Sequence, residues 1–232
     1  MGKGAPLRWL ENQILRRYLH GRGVEIGALW RRFPVNPGTK VWYVDRQAGE
    51  GLGAHYAEVG SQLVAPDVVA DAADLPFESE SLDFIIASHV LEHLAFPLAT
   101  LEGWYRLLAP GGDLLLRVPD KRFTFDAKRQ RTPLAHLLRE HEHRGSFDRG
   151  AHFTDWVEGV TGYVRGTAEF GQEVQRLMDI DYSIHYHVWT TEDLRELLEH
   201  TRTAMKLAWR PAVFWGAHFY RKEAIALLRR TG

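Results

Sequence analysis

Leu82-Asp83-Phe84-Ile85-Ile86-Ala87-Ser88 runs straight into His89-Val90-Leu91-Glu92-His93-Leu94. The first seven residues are a short, almost unbroken apolar run, which reads as a strand buried on both faces. The next ones bring titratable side chains at once. A buried strand that delivers such residues at its carboxyl end points to a parallel α/β sheet, where ligands bind beyond the strand ends.

The same rhythm recurs upstream. Val24-Glu25-Ile26 stops at Gly27, Val41-Trp42-Tyr43-Val44 stops at Asp45, and Asp67 to Ala70 stops at Asp71. Downstream, Phe96 to Leu108 places Leu98, Leu101, Tyr105 and Leu108 on one side of a helix. Pro110-Gly111-Gly112 reads as a turn, and Leu114 to Val118 as a fifth strand leading to Asp120. Strands that alternate with helical segments predict a parallel sheet covered on both faces. Glu25, Asp45, Asp71, His89 and Asp120 all fall at strand ends.

The flanks are different. Leu7, Leu10, Ile14, Tyr18 and Leu19 predict an amphipathic helix within residues 1–22, packing on or over the site. From 119 to 189 the strand rhythm stops, and the chain is rich in His, Arg and aromatics. This segment is expected to be a partly helical insertion (Pro133 to His141, Gln172 to Met178) that binds the acceptor. Thr190 is positioned to cap a helix running to about His200, and Met205 to Trp209 and Phe214 to Tyr220 read as two closing strands within residues 190–232.

Composition narrows the function classes. The 232 residues are 45% apolar, with a net charge of −1 and no cysteine. Disulfides, thiolate metal sites and a cysteine nucleophile are therefore excluded. No global field favours nucleic acid or a membrane surface. The start has no apolar leader, and no run is long enough to span a bilayer. A cytoplasmic protein is the expectation, with a small-molecule acceptor, no nucleic acid, no membrane insertion, and room for a homodimer.

The motifs at Val24-Glu25-Ile26-Gly27, Tyr43-Val44-Asp45, Ala70-Asp71-Ala72-Ala73-Asp74-Leu75-Pro76-Phe77, Leu82–Leu94 and Leu107-Leu108-Ala109-Pro110-Gly111-Gly112 follow one another in order. The series resembles the class I methyltransferases that depend on S-adenosylmethionine (SAM), in particular their small-molecule, type 11-like branch. The resemblance covers residues 23–118, the expected SAM-binding core. It implies a Rossmann-like, mostly parallel sheet of about seven strands, the last antiparallel, with helices on both faces and a helical insertion after the fifth strand. It also implies SAM as cofactor, held by Glu25, Gly27, Ala28, Asp45, Arg46, Asp71, Ala72 and Ser88. In this frame Asp45 receives the ribose hydroxyls, Asp71 the adenine amino group, and Glu25 the ammonium region. One departure stands out. Gly27-Ala28-Leu29-Trp30-Arg31-Arg32-Phe33-Pro34-Val35-Asn36-Pro37-Gly38 has one glycine at the turn and two prolines, so the first crossover is predicted to be short or irregular.

His89-Val90-Leu91-Glu92-His93 admits three readings. As H-x-x-E-H it matches a zinc hydrolase signature. As a post-strand Glu-His it resembles the metal-binding stretch of small-RNA 2′-O-methyltransferases. A divalent ion (Mg²⁺ or Zn²⁺) would then draw on His89, Glu92 and His93, with His185, His187 or His152 more distant in sequence. In the third reading Glu92 and His93 simply hold the turn. His89 and Asp120 are the candidate catalytic residues, as base or orienting group toward an acceptor hydroxyl. Lys121, Arg122, Lys128, Arg129 and Arg131 form a basic stretch suited to an anionic acceptor or to a solvated face. Pro119–Asp126 and His187-Val188-Trp189-Thr190 resemble bacterial glycan-associated methyltransferases, which implies a sugar or other hydroxylated acceptor. The leading expectation is an O-methyltransferase. The alternatives are a non-catalytic binding protein of the same fold and the metal-dependent hydrolase.

Overall fold

The computed structural model describes residues 5–48 and 63–232, with the side chains of the first two left aside. Seven strands build one sheet: β1 (Arg22–Ile26), β2 (Lys40–Asp45), β3 (Val68–Val69), β4 (Leu82–Ser88), β5 (Leu108–Pro119), β6 (Trp209–Trp215) and β7 (Glu223–Arg230). Their order is β3-β2-β1-β4-β5-β7-β6. Pairings from β3 across to β5 are parallel, and β7 runs antiparallel to both neighbours. Among the described residues the α-helices are α1 (Ala5–Leu15), α2 (Pro97–Leu107), α3 (Leu134–Glu142), α4 (Arg149–Trp156), α5 (Ala168–Asp179) and α6 (Thr191–Thr203).

Both faces of the sheet are dry. Ile85, Leu114, Leu116 and Ala226 pack under Leu98, Leu101 and Trp104 of α2 and Leu194 and Leu197 of α6. Their neighbours Phe84, Ile86, Leu115 and Leu227 point the other way, onto Leu15 and Leu19 at the end of α1 and Phe33 of the first crossover. This two-sided burial is why the strands read as continuous apolar runs. Gly23 is required by packing: a Cβ there would lie 2.4 Å from the Phe84 ring.

Several expectations change. The apolar residues of α1 do not all face inward. Trp9 and Leu10 are exposed, while Glu11 and Asn12 are buried. The reason is electrostatic: Asn12 meets the buried Arg117 of β5, and Glu11 meets Arg221 in the connection before β7. The expected turn at Pro110-Gly111-Gly112 belongs to the start of β5, where pairing jumps from Leu82↔Leu108 to Phe84↔Asp113. The closing strands are displaced. β6 starts where Met205–Trp209 was expected to end, and β7 lies beyond Tyr220. Phe214-Trp215 closes β6, but Phe219 and Tyr220 stand exposed in the connection. Pro211 is tolerated because β6 is an edge strand.

The first crossover contains no helix, as its prolines predict. The insertion has its own small core of Phe153, Trp156, Val157, Phe170, Leu177 and Ile184. It is tethered to the sheet by Asp181, which pairs with Arg46 beyond β2 at 3.1 Å and with Arg149 of α4 at 2.5 Å. α6 begins with a capping box between Thr190 and Asp193. No described helix is long and apolar enough to cross a membrane.

Candidate functional site

The carboxyl edges of β1 and β4 turn sharply. Gly27, Leu29 and His89 take left-handed backbone conformations, with φ of 64°, 49° and 56°. A side chain at position 27 would be strained by that φ and would press on Val90 at 3.4 Å. Between these turns lies a cleft lined by Glu25, Gly27, Ala28, Ser88, His89 and Arg117, with Arg8, Arg31 and Arg32 around it.

Glu25 is buried in β1, and both of its carboxylate oxygens accept the Phe33 N–H at 2.9 Å. Burial pushes its carboxyl up to about 7, against the opposing pull of the Phe33 N–H, Arg32 and Arg117. Asp45 ends β2, is buried, and accepts the Gln47 N–H at 3.3 Å. Asp71 is exposed after β3 and accepts the Ala73 N–H at 2.7 Å. The Ala72 carbonyl accepts the Trp104 indole N–H at 2.8 Å. Arg46 is engaged with Asp181 rather than reaching into the cleft.

His89 sits at the junction of a buried ion network. Its Nε2 is 2.6 Å from Glu223 and its Nδ1 3.5 Å from Glu92. Arg117 donates to Glu223 at 2.7 Å and to Asn12 of α1 at 2.6 Å. Glu11 pairs with Arg221. Burial disfavours the charged imidazole, but the hydrogen bond to Glu223 and the negative charge of Glu92 and Glu223 outweigh it and push His89 up to about 10. With a carboxylate at each ring nitrogen, His89 offers no free lone pair.

Asp120 is enclosed by partners as well. It is buried, and its two oxygens accept five hydrogen bonds, from Arg122 N, Nε and Nη2 and from Thr191 N and Oγ1. It caps the turn after β5 and anchors the start of α6, so no oxygen remains for an acceptor. The basic stretch is likewise internally paired: Arg122 with Asp120, Arg129 with Asp126 and Asp155, and Arg131 with Asp193.

The H-x-x-E-H signature does not form a zinc hydrolase helix. Leu91–His93 is a single 3₁₀ turn, and His89 precedes it in a left-handed conformation facing Glu223. His93 turns to His185 instead, with ring centroids 4.7 Å apart. Burial pushes His93 down to about 4. Glu92, His93 and His185 bring ligand atoms within 4.8 Å of one another. His187, expected to share a face with His185, separates from it because the segment is irregular. It joins His136 and His152.

A second cavity of about 500 Å³ adjoins the cleft, lined by Arg8, Glu11, His89, Arg221, Lys222 and Glu223 among others. Arg8 and His89 line both spaces. Arg117, Glu223 and Arg221 were not singled out from sequence. Arg117 had a legible signal, a lone charge inside the apolar run Leu114–Val118. Glu223 had none once β7 was misplaced.

A family model described as methyltransferase domain matches residues 16–160. An uncharacterized protein of Methanocaldococcus jannaschii is 29% identical over 112 residues, which is 48% of this chain. The chain spans about half the length of that curated relative, 51%. Among solved structures, a SAM-dependent methyltransferase from Methanosarcina mazei superposes with a TM-score of 0.50 at 16% identity, covering 94% of this chain and 97% of that one. The PH0226 protein of Pyrococcus horikoshii gives 0.52 at 14% identity, covering 98% and 90%. At these identities the superpositions speak for the fold, and the family match covers more than half of the chain. The chain thus belongs to the methyltransferase-domain family, and SAM is the cofactor that membership implies.

Proposed function

We propose that the protein transfers a methyl group from SAM to a hydroxyl of a small, anionic or sugar-containing acceptor held in the larger cavity. The observation that carries this reading is the junction of two cavities at Arg8 and His89, on the carboxyl edge of the sheet. A donor in one space and an acceptor in the other meet at that junction, which is the positioning that methyl transfer needs.

The residues fit the cofactor. One cleft holds a buried acid, Glu25, among arginines, a charge pattern suited to a zwitterionic amino-acid end. Gly27, Ala28 and Ser88 let backbone come close, and the left-handed turn at Gly27 leaves space where a side chain would intrude. In this reading Asp45 at the end of β2 accepts the ribose hydroxyls and Asp71 with Ala72 receives the adenine, both beyond the residues that line the cleft itself. When bound, SAM supplies an electrophilic sulfonium methyl. Its C–S bond breaks as a C–O bond forms, giving a methyl ether, S-adenosylhomocysteine and a released proton.

The chain's own residues provide position and field. His89 is held between Glu223 and Glu92, so what it brings to the acceptor space is a fixed imidazole rather than a free N–H. Among the described residues Arg8 and Lys222 are in no ion pair, and they add positive charge to the acceptor space alongside the paired Arg221. That balance favours an acceptor carrying a carboxylate or phosphate.

A second reading concerns a divalent ion at Glu92, His93 and His185. It is favoured by Glu92, which is buried with neither carboxylate oxygen hydrogen-bonded. Such an ion would supply Lewis acidity near the acceptor hydroxyl.

The test is a screen of hydroxylated acids and sugar phosphates with isotopically labelled SAM. Label is expected in an ether product, with Lys222→Glu raising KM for anionic acceptors and leaving SAM affinity unchanged. Labelled nitrogen or carbon products would overturn the O-methyl assignment.

A further inference from the structure

The insertion carries a second group of ligand-type side chains that the reading above does not use. His136 and Glu140 stand four residues apart on α3, hence on one face of it. His152 projects from α4, and His187 from the segment entering α6. Three chain segments that are distant in sequence therefore converge on one carboxylate. His152 Nε2 lies 2.6 Å and His136 Nε2 2.9 Å from Glu140 Oε1, while His187 Nε2 lies 3.7 Å from Glu140 Oε2 and 3.3 Å from the Ala95 carbonyl, to which it donates, so Nδ1 is the His187 nitrogen with a lone pair. The ligand nitrogens of the three histidines fall within 4.8 Å of one another.

Two buried atoms in this group lack a partner: Glu140 Oε2 and His187 Nδ1. His187 is completely buried, and His152 is nearly so. An unpaired polar atom in such a place is costly. His152 also directs Nδ1 to the Tyr186 carbonyl at 3.0 Å. A carbonyl accepts only, so Nδ1 carries the proton. The remaining nitrogen, Nε2, meets the Glu140 carboxylate at 2.6 Å, as the N–H of an imidazolium or, where a metal ion replaces that proton, as a ligand beside the carboxylate. This outer contact is the type that fixes the tautomer of a metal-ligating histidine.

We propose that His136, Glu140, His152 and His187 form a structural zinc-type site that clamps α3 and α4 to the segment entering α6. The donor chemistry selects the ion. Three imidazoles and one carboxylate suit Zn²⁺ or its Co²⁺ surrogate, whereas Mg²⁺ and Ca²⁺ prefer all-oxygen sets. Four protein donors fill a tetrahedral shell and leave no open position, which makes the role structural. Bonds of about 2.0–2.1 Å put tetrahedral donors about 3.3 Å apart, a distance reached by side-chain rotation from the observed arrangement. The ion would fix the insertion near Leu91–His93, since His187 N also donates to the Glu92 carbonyl at 3.2 Å.

The experiment titrates Zn²⁺ and Co²⁺ into the metal-stripped full chain, followed by calorimetry, thermal unfolding and visible absorption. Wild type is expected to bind zinc, to gain thermal stability from it, and to show the intense visible bands of tetrahedral Co²⁺. His136→Asn is expected to weaken this zinc site by about 100-fold or more and to abolish the cobalt bands, and Glu140→Gln gives the same readout if His136→Asn misfolds. Glu92→Gln, aimed at the other metal cluster, is expected to leave the bands unchanged. Absence of zinc binding in wild type would overturn the proposal, as would zinc binding that His136→Asn and Glu140→Gln retain. Either result leaves the methyl-transfer reading intact, because SAM binding is measured separately.

Discussion

Glu25 receives the Phe33 N–H with both carboxylate oxygens, each at 2.9 Å, and so ties the carboxyl end of β1 to the far side of the loop that leaves it. A loop poor in glycine and broken by prolines is thereby held in one shape over the cleft without a crossover helix. The same acid lines the space where an ammonium group would lie. Loop anchoring and ligand recognition share one side chain.

That sharing gives a pH dependence. Burial raises the Glu25 carboxyl from an ordinary 4.5 to about 7. An acid whose folded pKa is raised contributes stability that is fully present below about pH 4.5 and is lost as pH climbs through about 7. The difference between 4.5 and about 7 is worth roughly 3 kcal/mol between the two protonation states. Thermal unfolding between about pH 5 and about pH 8 is expected to show a decline in wild type that is flatter in Glu25→Gln. An identical slope in both proteins would remove Glu25 as its source.

Arg117 is buried in β5 and links Glu223 to Asn12 of α1. Removing it leaves Glu223 short of its main counter-charge inside the protein. Arg117→Ala is expected to cost about 3–5 kcal/mol in urea unfolding. A loss below about 1 kcal/mol would mean that the network contributes little to docking α1.

Asp120 is expected to behave as a structural acid. Asp120→Ala strips hydrogen bonds from Arg122 and Thr191 and should lower stability by about 2–3 kcal/mol. Turnover per folded molecule should stay within a few-fold of wild type. A large fall in kcat at unchanged stability would restore Asp120 to the reaction.

The sequence was most legible where physics leaves the fewest choices. Strands β1, β4 and β5 are buried between two layers, so their apolar runs and the residues at their ends could be read directly. The closing hairpin could not be. Phe214 to Tyr220 has strand-like aromatics, yet only Phe214 and Trp215 lie in β6. β7 is masked by charge at both ends: Glu223 pairs with Arg117 and His89, Arg229 with Asp113, and Arg230 with Glu80. Ion pairs across the sheet rescue charges that a linear reading assigns to a loop. The histidines split for a related reason. His185 and His187 alternate in sequence, but the irregular backbone sends one to Asp126 and Glu92 and the other to Glu140. The strand-end residues were visible as positions, whereas their partners came from elements up to two hundred residues away, as in Glu11 with Arg221.

The central proposal is that SAM enters the cleft at the ends of β1 and β4 and extends from it to Asp45 at the end of β2. The most direct test is calorimetric titration of SAM into the full chain and into Asp45→Ala. Wild type is expected to bind one equivalent, and Asp45→Ala to bind at least about tenfold more weakly at unchanged thermal stability, since hydrogen bonds to a charged acceptor are worth about 1.5–3 kcal/mol. No binding by wild type, or equal binding by the variant, would contradict the account.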